Sequence, residues 1–379
     1  MLRLPPLSLY VHLPWCARKC PYCDFNSHQS ATEPPFEAYV DALLDDLALD
    51  LPWVQGRECQ TIFIGGGTPS LFPGAAVHRL LAGVRERLPL AADAEITLEA
   101  NPGSAEAARF AAYREAGVNR LSIGVQSFDD RSLAALGRIH DSGAAREAAV
   151  AARAAGFTNI NLDLMHGLPA QDAAAAAQDL ATAIAQDVPH LSWYQLTIEP
   201  NTVFHSRPPV LPVEDELAGI QQQGEEQLAQ AGYTQYEVSA FARPGHRCRH
   251  NLNYWGFGDY LGIGAGAHGK ISLPGEGRVL RSRRSRVPKD YLASMPAARR
   301  DASPVDADEL PLEFLMNALR LCEGVPAEDF EARTGVALAQ LDAELSSLRA
   351  KGLLVEDTRR LCTTPTGFRF LDSVLSALA

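Results

Sequence analysis

The stretch "HLPWCARKCPYCDF", residues 12–25, carries three cysteines at the spacing C-x3-C-x2-C and directly follows the apolar run "LSLYVHL", residues 7–13. These cysteines are Cys16, Cys20 and Cys23. Three thiolates are one fewer than a closed structural metal site needs, and iron–sulfur clusters are normally held by four cysteines. A cubane bound by this triplet therefore keeps one iron open to a ligand from outside the protein.

Two other uses of the triplet stay open at this point. A zinc site needs a fourth protein ligand, for which nearby His12 or His28 is a candidate. A thiol–disulfide centre is usually built from C-x2-C alone. The four remaining cysteines are scattered and are expected to be small buried side chains: Cys59, Cys248, Cys322 and Cys362.

Composition places the 379-residue chain among soluble globular proteins, with 46% hydrophobic and 21% charged residues. The formal net charge of −12 argues against nucleic acid as the main partner, because phosphate binding needs a basic face. No apolar run approaches the length of a membrane span, and no signal peptide is recognised. We therefore expect a cytoplasmic protein without an integral membrane segment.

β-Rich runs and helical stretches alternate through the first 240 residues, which predicts parallel βαβ units. The predicted strands are Leu7–Leu13, Thr61–Ile64, Glu95–Glu99, Arg120–Val125, Asn159–Leu164 and His190–Ile198. The predicted helices are Phe36–Leu51, Gly74–Leu88, Ala105–Ala116, Gly143–Ala155, Asp172–Asp187 and Glu214–Gly232. Six units predict an α/β fold with a partial, TIM-like (β/α)6 barrel over residues 1–240. A doubly wound sheet is the alternative.

Two further regions follow. Residues 241–300 contain the glycine- and aromatic-rich segment "RPGHRCRHNLNYWGFGDYLGIGAGAHGK" and a basic stretch, Arg278 to Lys289, and are expected to close the barrel. Residues 301–379 show a helix, a glycine, two short strands and a helix, which predicts a C-terminal α+β domain of winged-helix type. Its fourteen Asp and Glu residues against seven Lys and Arg would repel DNA.

Glycine and polar residues stand at the ends of several predicted strands, where barrel sites form. They are Gly65, Gly66, Gly67 and Thr68 in "FIGGGTPS", Glu99 in "ITLEANP", Gln126 in "LSIGVQSF" and Asp163 in "INLDLMHGLP", with Arg138 nearby in "LGRIH". Any one of these alone is most simply a strand-end group that meets solvent. Their occurrence on successive strands predicts a ligand site.

These motifs resemble the radical S-adenosylmethionine (SAM) superfamily. That resemblance implies a [4Fe–4S] cluster on Cys16, Cys20 and Cys23 whose open iron is chelated by the amino and carboxylate groups of SAM. An electron from the reduced cluster then cleaves SAM to methionine and a 5′-deoxyadenosyl radical, so an electron donor is implied as a partner.

Within the superfamily, the chain is most similar to the branch of oxygen-independent coproporphyrinogen III oxidase. The phrases "YVHLPWC", "GGGTPS", "EANP", "SIGVQSF", "LGRIH" and "DLMHGLP" occur in that branch's order over residues 10–169. The resemblance implies SAM contacts from Tyr10, Tyr22, Gly66, Gly67, Thr68, Glu99, Gln126, Arg138, Asp163 and Thr197, with His268 as a further candidate. Some of these residues would serve a second SAM, because the oxidases are thought to hold two.

Two departures from the oxidases look like the HemW group of heme chaperones instead. Phe25 stands where the oxidases carry a further cysteine, two residues after the third ligand, and their long N-terminal extension is missing. The HemW resemblance implies heme as cargo and apo-hemoproteins as recipients, with peripheral contact where a recipient lies in a membrane. Radical oxidation of coproporphyrinogen III is the alternative, and a zinc- or cluster-stabilised binding protein without SAM chemistry is the third.

A heme site is implied by "HNLNYW", residues 250–255, a motif associated with heme in this group. His250 is the candidate axial ligand, since neutral imidazole binds heme iron well. The alternative is that the motif organises a loop over the barrel mouth, and His268 is a second candidate ligand. Four arginines of the basic stretch, Arg281, Arg283, Arg284 and Arg286, are expected in a solvated loop, with pairing to heme propionates as the alternative.

Overall fold

The structure, a computed structural model, describes residues 1–378 and is organised around one twelve-stranded sheet. Its strands are β1 (Leu7–Leu13), β2 (Cys59–Gly66), β3 (Leu90–Ala100), β4 (Arg120–Gln126), β5 (Asn159–His166), β6 (His190–Gln195), β7 (Thr234–Glu237), β8 (Ala240–Ala242), β9 (Asp259–Ile263), β10 (His268–Leu273), β11 (Arg278–Arg284) and β12 (Arg300–Pro304). Their order in the sheet is β12-β11-β10-β9-β1-β2-β3-β4-β5-β6-β8-β7.

Strands β1 to β6 run parallel, each beside the next, as the alternating pattern predicts. Strand β1 is buried along nearly its whole length, which is typical of parallel strands covered on both faces. The α/β partial barrel is therefore confirmed, and the doubly wound alternative is wrong. The observed strands extend beyond the predicted bounds at β2 and β3, and β6 ends at Gln195, three residues before the predicted end.

Helices connect the parallel strands and cover the outside of the sheet. They are α1 (Phe36–Asp50), α2 (Gly74–Arg87), α3 (Ser104–Ala107), α4 (Phe110–Ala116), α5 (Asp130–Ala135), α6 (Ser142–Ala154), α7 (Ala173–Ala185), α8 (Val203–Ser206) and α9 (Glu214–Gln230). Aspartates begin two of the long helices, because the side chain of Asp141 accepts from Ala144 N and that of Asp172 from Ala175 N. The single helix expected over residues 105–116 is two short ones.

Residues 241–300 extend the sheet. Helix α10 (Arg249–Trp255) lies at the amino ends of the strands, where the backbone of His250 donates to Glu95 on β3. Strand β9 pairs in parallel with β1, so the parallel part of the sheet has a seventh strand that the sequence pattern did not reveal. The basic stretch expected as a solvated loop is strand β11, paired with β10 and β12.

The C-terminal part is mainly helical and has its own apolar core. After α11 (Pro288–Ala293) and α12 (Pro296–Arg299) come α13 (Leu310–Ala318), α14 (Ala327–Thr334), α15 (Asp342–Ala350), α16 (Pro365–Arg369) and α17 (Leu371–Ser376), with a two-residue pair between Val325–Pro326 and Arg360–Leu361. Phe314 and Phe330 lie at the centre of this core, which also includes Phe257 from the segment after α10. Within residues 1–378, every helix is too short or too polar to cross a lipid bilayer.

Candidate functional site

The three cysteines of the triplet lie on one loop at the carboxyl end of β1. We call residues 14–29 the cysteine loop; its ends meet where Trp15–Cys16 pairs with His28–Gln29. All three thiols are free, with Cys16 buried and Cys20 and Cys23 half-buried. Burial and the neighbouring Cys23 raise the pKa of the Cys16 thiol to about 11.

This donor set fits an iron–sulfur cluster better than a zinc ion. Among residues 1–378, no three His, Cys, Asp or Glu side chains converge on one metal-ion position. A cubane needs no such convergence, because each thiolate binds a different iron. His12, one candidate zinc ligand, is already engaged through both ring nitrogens: Nδ1 lies 2.9 Å from Tyr10 Oη and Nε2 lies 2.9 Å from Asn26 O.

The glycine triplet at the carboxyl end of β2 lets that strand end pack against the cysteine loop. Gly67 N donates to Leu13 O and Thr68 N donates to Trp15 O, both at 2.8 Å. A Cβ on Gly67 would lie 2.5 Å from Trp15 O, and one on Gly66 would lie 2.7 Å from Leu13 O. Close backbone packing therefore requires glycine here, and Gly66 also reaches the cavity described below.

Arg138 joins the cysteine loop to the carboxyl ends of β3 and β4. Its guanidinium donates to Asn101 Oδ1 at 2.6 Å and to Gly124 O at 2.7 Å, and it lies 3.7 Å from Cys20 Sγ. Asn101 in turn donates to the buried Thr68 hydroxyl at 3.2 Å. Asn101 was not among the sequence candidates, although it directly follows Ala100 at the end of β3.

Three of the predicted strand-end residues, Glu99, Gln126 and Asp163, lie on the neighbouring strands β3, β4 and β5; we call them the acidic half of the mouth. Glu99 accepts from Gly66 N at 3.1 Å, and Asp163 accepts from Ser122 and Asn161 at 3.0 and 2.7 Å. Burial, with the charge of Asp163 second, raises the pKa of Glu99 to about 8. Burial also raises the pKa of Asp163.

Gln126 has a left-handed backbone conformation that is uncommon for a residue other than glycine, with φ of 70°. Its side chain has a partner that the sequence did not reveal. Tyr194 on β6 donates to Gln126 Oε1 at 2.8 Å.

Tyr22 of the cysteine loop packs near Phe204 of α8, with ring centroids 6.4 Å apart. Thr197, by contrast, is exposed in the loop after β6.

One cavity of about 690 Å³ connects the acidic half to the opposite side of the mouth. Tyr10, Gly66 and Glu99 line it on the acidic side. On the other side it is lined by residues that we call the basic half: His268 on β10, Arg283 on β11, and Arg286 just after β11. Phe25, at the position where the oxidases carry cysteine, also lines the cavity and is 62% exposed.

His250 does not lie over the barrel mouth, so the expectation of a loop organised there is wrong. It is buried at the amino ends of the strands, where Nδ1 lies 2.7 Å from the hydroxyl of Thr61 near the start of β2. Its ring stacks on Phe63 at 5.1 Å, and burial lowers its pKa to about 3. Within the described residues its Nε2 has no hydrogen-bond partner.

The four arginines of the basic stretch separate into two groups. Arg284 is fully buried and pairs with Asp46 and Asp50 of α1 at 2.5 Å each, and Arg281 binds Glu313 and the Tyr260 hydroxyl. Arg283 pairs with Asp301, both well exposed. Arg286 is exposed beside the cavity. Arg283 and Arg286 are exposed to a ligand, and Arg284, although buried, also lines the cavity and has an Nη1 without a hydrogen-bond partner within the described residues.

Comparison with known proteins assigns a class to this geometry. The model of the radical SAM superfamily matches residues 10–180, which contain the cysteine loop and the acidic half. The model of the HemN C-terminal domain matches residues 305–370. The solved structure of coproporphyrinogen III oxidase (HemN) from Escherichia coli, described as a radical SAM enzyme, superposes with a TM-score of 0.82 at 25% identity, over 99% of this chain and 90% of that one.

Full-length relatives define the family more narrowly. The heme chaperone HemW of Escherichia coli is 54% identical over 99% of this chain and 98% of its own length. That of Haemophilus influenzae is 46% identical over the same shares, and that of Mycobacterium tuberculosis is 36% identical over 98% and 95%. The chain belongs to the HemW family of radical SAM proteins. Membership implies a [4Fe–4S] cluster and SAM as cofactors, as the sequence predicts.

Proposed function

We propose that this protein binds heme and delivers it to apo-hemoproteins, while carrying a SAM-liganded [4Fe–4S] cluster. The observation that carries the proposal is the full-length similarity to heme chaperones, supported by Phe25 at the position where the porphyrinogen oxidases have a further cysteine. Phe25 offers an exposed phenyl ring to the cavity, where a thiol would stand in the oxidases.

Cys16, Cys20 and Cys23 would hold the cluster, and the chain's own residues would position SAM beside it. When bound, the reduced cluster supplies the electron that cleaves SAM in this superfamily. Glu99 and Asp163 would place two carboxyls near the sulfonium of SAM, whose positive charge favours negative groups. Arg138 holds Cys20 in place through the protein framework and so links the cluster to the ends of β3 and β4.

The remaining SAM contacts follow from placement around the same mouth. Tyr10, Gly66 and Glu99 line the cavity together, and Thr68, Gln126 and Tyr22 lie on the elements that surround it. His268 lies on the opposite side, and Thr197 reaches SAM only if the loop after β6 closes over the mouth. Roles for Tyr10, Tyr22, Gly66, Gly67, Thr68, Gln126 and Thr197 in binding SAM therefore belong to this proposal.

Organisation and surroundings complete the proposal. Residues 1–240 form the cofactor-binding barrel, residues 241–300 close it, and residues 301–379 form a C-terminal winged-helix-like domain for contact with other proteins. An electron donor reduces the cluster, the protein works in the cytoplasm, and recipients in a membrane are reached by peripheral contact.

One anaerobic assay separates carrier from enzyme. Reconstituted protein is incubated with dithionite, SAM and coproporphyrinogen III, and a coproporphyrinogen III oxidase with the same cluster serves as positive control. We expect no protoporphyrinogen from this protein, whereas heme-loaded protein should transfer heme to apo-myoglobin. Because the HemN structure is so similar in fold, multiple-turnover formation of protoporphyrinogen would replace the chaperone assignment by the oxidase.

A further inference from the structure

We propose that heme binds in the basic half of the cavity with His268, and not His250, as its axial ligand. The inference rests on the proposed function and names the site for its cargo. It is carried by an exposed imidazole, exposed guanidinium groups and aromatic rings that surround one cavity. A ligand can reach these exposed groups without breaking a buried contact.

The cavity has the size and lining of a cofactor site. The whole cavity, whose acidic side would hold SAM, has a volume of about 690 Å³, within the range of ~300–1,000 Å³ usual for small-molecule pockets. Tyr254 and Tyr260 line it, with ring centroids only 4.2 Å apart, and Phe25 adds an exposed phenyl ring. Flat apolar faces of this kind suit a porphyrin ring.

Charge complementarity favours a dianionic ligand on this side. Arg283 and Arg286 line the cavity, and arginine forms paired hydrogen bonds with carboxylates such as heme propionates. Asp24 is also present there, and Asp301 already pairs with Arg283 on its exposed face. Arg286 is therefore the better candidate for a propionate partner, because within residues 1–378 it makes no ion pair that the propionate would have to displace.

His268 is placed to reach iron in the same cavity. The β10–β11 register sets His268 directly opposite Arg283, so both side chains lie on the same face of the hairpin. The side chain of His268 is accessible to solvent. Partial desolvation of its ring, together with the nearby arginines, lowers its pKa. A neutral imidazole with a free nitrogen is the form that binds iron.

His250 has a different task in this arrangement. Its ring contacts Tyr254 with centroids 5.0 Å apart, and its Nδ1 is bonded to Thr61. His250 is buried, with only 2% of its surface exposed, so it would reach a porphyrin only if α10 left the barrel. The motif "HNLNYW" thus acts by positioning Tyr254 at the cavity, and His250 is a positioning residue.

Heme titration of the full-length protein tests the assignment. Wild type, His268→Ala, His250→Ala and the exposed control His78→Ala are titrated with heme, and the Soret band and affinity are recorded. We expect His268→Ala to shift the Soret band and weaken binding by about tenfold or more. His78→Ala should match wild type, and folded His250→Ala should keep the wild-type Soret position, although its affinity falls through Tyr254.

The outcomes distinguish this inference from the proposed function. Absence of heme binding by wild type would overturn the function itself. Wild-type binding with an unchanged His268→Ala spectrum, or loss of the axial-ligand spectrum in folded His250→Ala, would overturn only the site. Circular dichroism and iron content establish folding, and His268→Gln replaces His268→Ala if the latter is unstable.

A second measurement tests the site independently of the iron ligand. Arg286→Gln should weaken heme binding about threefold or more by removing a propionate partner, and should leave binding of heme dimethyl ester unchanged. An equal loss for both ligands, or no loss for either, would remove Arg286 from the site. Lys289→Gln, a nearby exposed charge change outside the cavity lining, is the matched control.

Discussion

The acidic and basic halves of the mouth meet at the same cavity, which Glu99 lines on the acidic side, but they are built differently. In the acidic half each side chain accepts a hydrogen bond within the protein, as Glu99 does from Gly66 N and Gln126 from Tyr194. In the basic half His268 and Arg286 are exposed and Arg283 has only a surface ion pair. Side chains already held by hydrogen bonds suit a cofactor bound in one pose, whereas freely exposed side chains suit a ligand that must later leave.

The largest expected effect comes from removing a cysteine, because the cysteine loop borders both halves. Cys20→Ser should reduce reconstituted iron from about four per chain to near zero and abolish SAM binding. Heme titration should still saturate, since the basic half does not depend on the cluster. Cys322→Ser, in the C-terminal part, should keep wild-type iron. Loss of heme binding together with the iron would show that the two halves are one site.

The next effect separates structural from ligand-facing arginines on β11. Arg284→Ala leaves Asp46 and Asp50 buried without their main partner, so urea denaturation should show a loss of about 3–5 kcal/mol in the free energy of unfolding. Arg283→Ala, one residue earlier, removes an exposed pair and should change it by less than about 1 kcal/mol. Equal losses would contradict the division of the basic stretch into two groups.

A smaller effect, with a pH signature, is expected at Glu99. Its carboxyl is mostly protonated at neutral pH, because its pKa is raised to about 8, and the sulfonium charge of SAM would favour the ionised form. SAM affinity measured by calorimetry should therefore rise with pH until about pH 8 and level off above it. Glu99→Gln should bind SAM about tenfold more weakly at high pH and lose this dependence.

The same raised pKa affects stability in the opposite direction. A carboxyl whose folded pKa lies above its ordinary value of 4.5 stabilises the fold below that value, and this contribution is lost as pH rises toward 8. Protein without SAM should therefore lose stability over that window, and Glu99→Gln should lose less. A pH-independent difference between the two proteins would exclude Glu99 as the titrating group.

Local sequence patterns predicted the barrel well because each of its six βα units is formed by one continuous segment of the chain. β1 matches its predicted bounds, and the strand-end residues Glu99, Gln126 and Asp163 lie on three neighbouring strands. Partners that depend on other strands were missed: Asn101 for Arg138 and Tyr194 for Gln126. Strand β9 was missed because its five residues lie in a glycine-rich segment and pair with a strand at the far end of the sequence.

The arginines show the same limit at finer scale. A run of basic residues looks uniform in sequence, yet in a strand alternate side chains face opposite sides of the sheet. Arg284 thus enters a buried ion cluster with α1, whereas Arg283 faces the solvent beside His268. Only the register of β11 against β10 reveals that Arg283, and not Arg284, stands opposite His268.

The pairing of β1 with β9 has a consequence for the order of assembly. Leu7 pairs with Asp259 and Val11 with Ile263, so the first strand completes its hydrogen bonds only after some 250 residues of intervening chain have been placed. The cysteine loop leaves directly from this strand, and Asn26 ties it to Ala265 O and Arg286 O at 2.9 Å each. Contacts this distant in sequence form slowly. Thiols made early in synthesis thus acquire their final setting late, which leaves a window in which iron insertion and folding can compete.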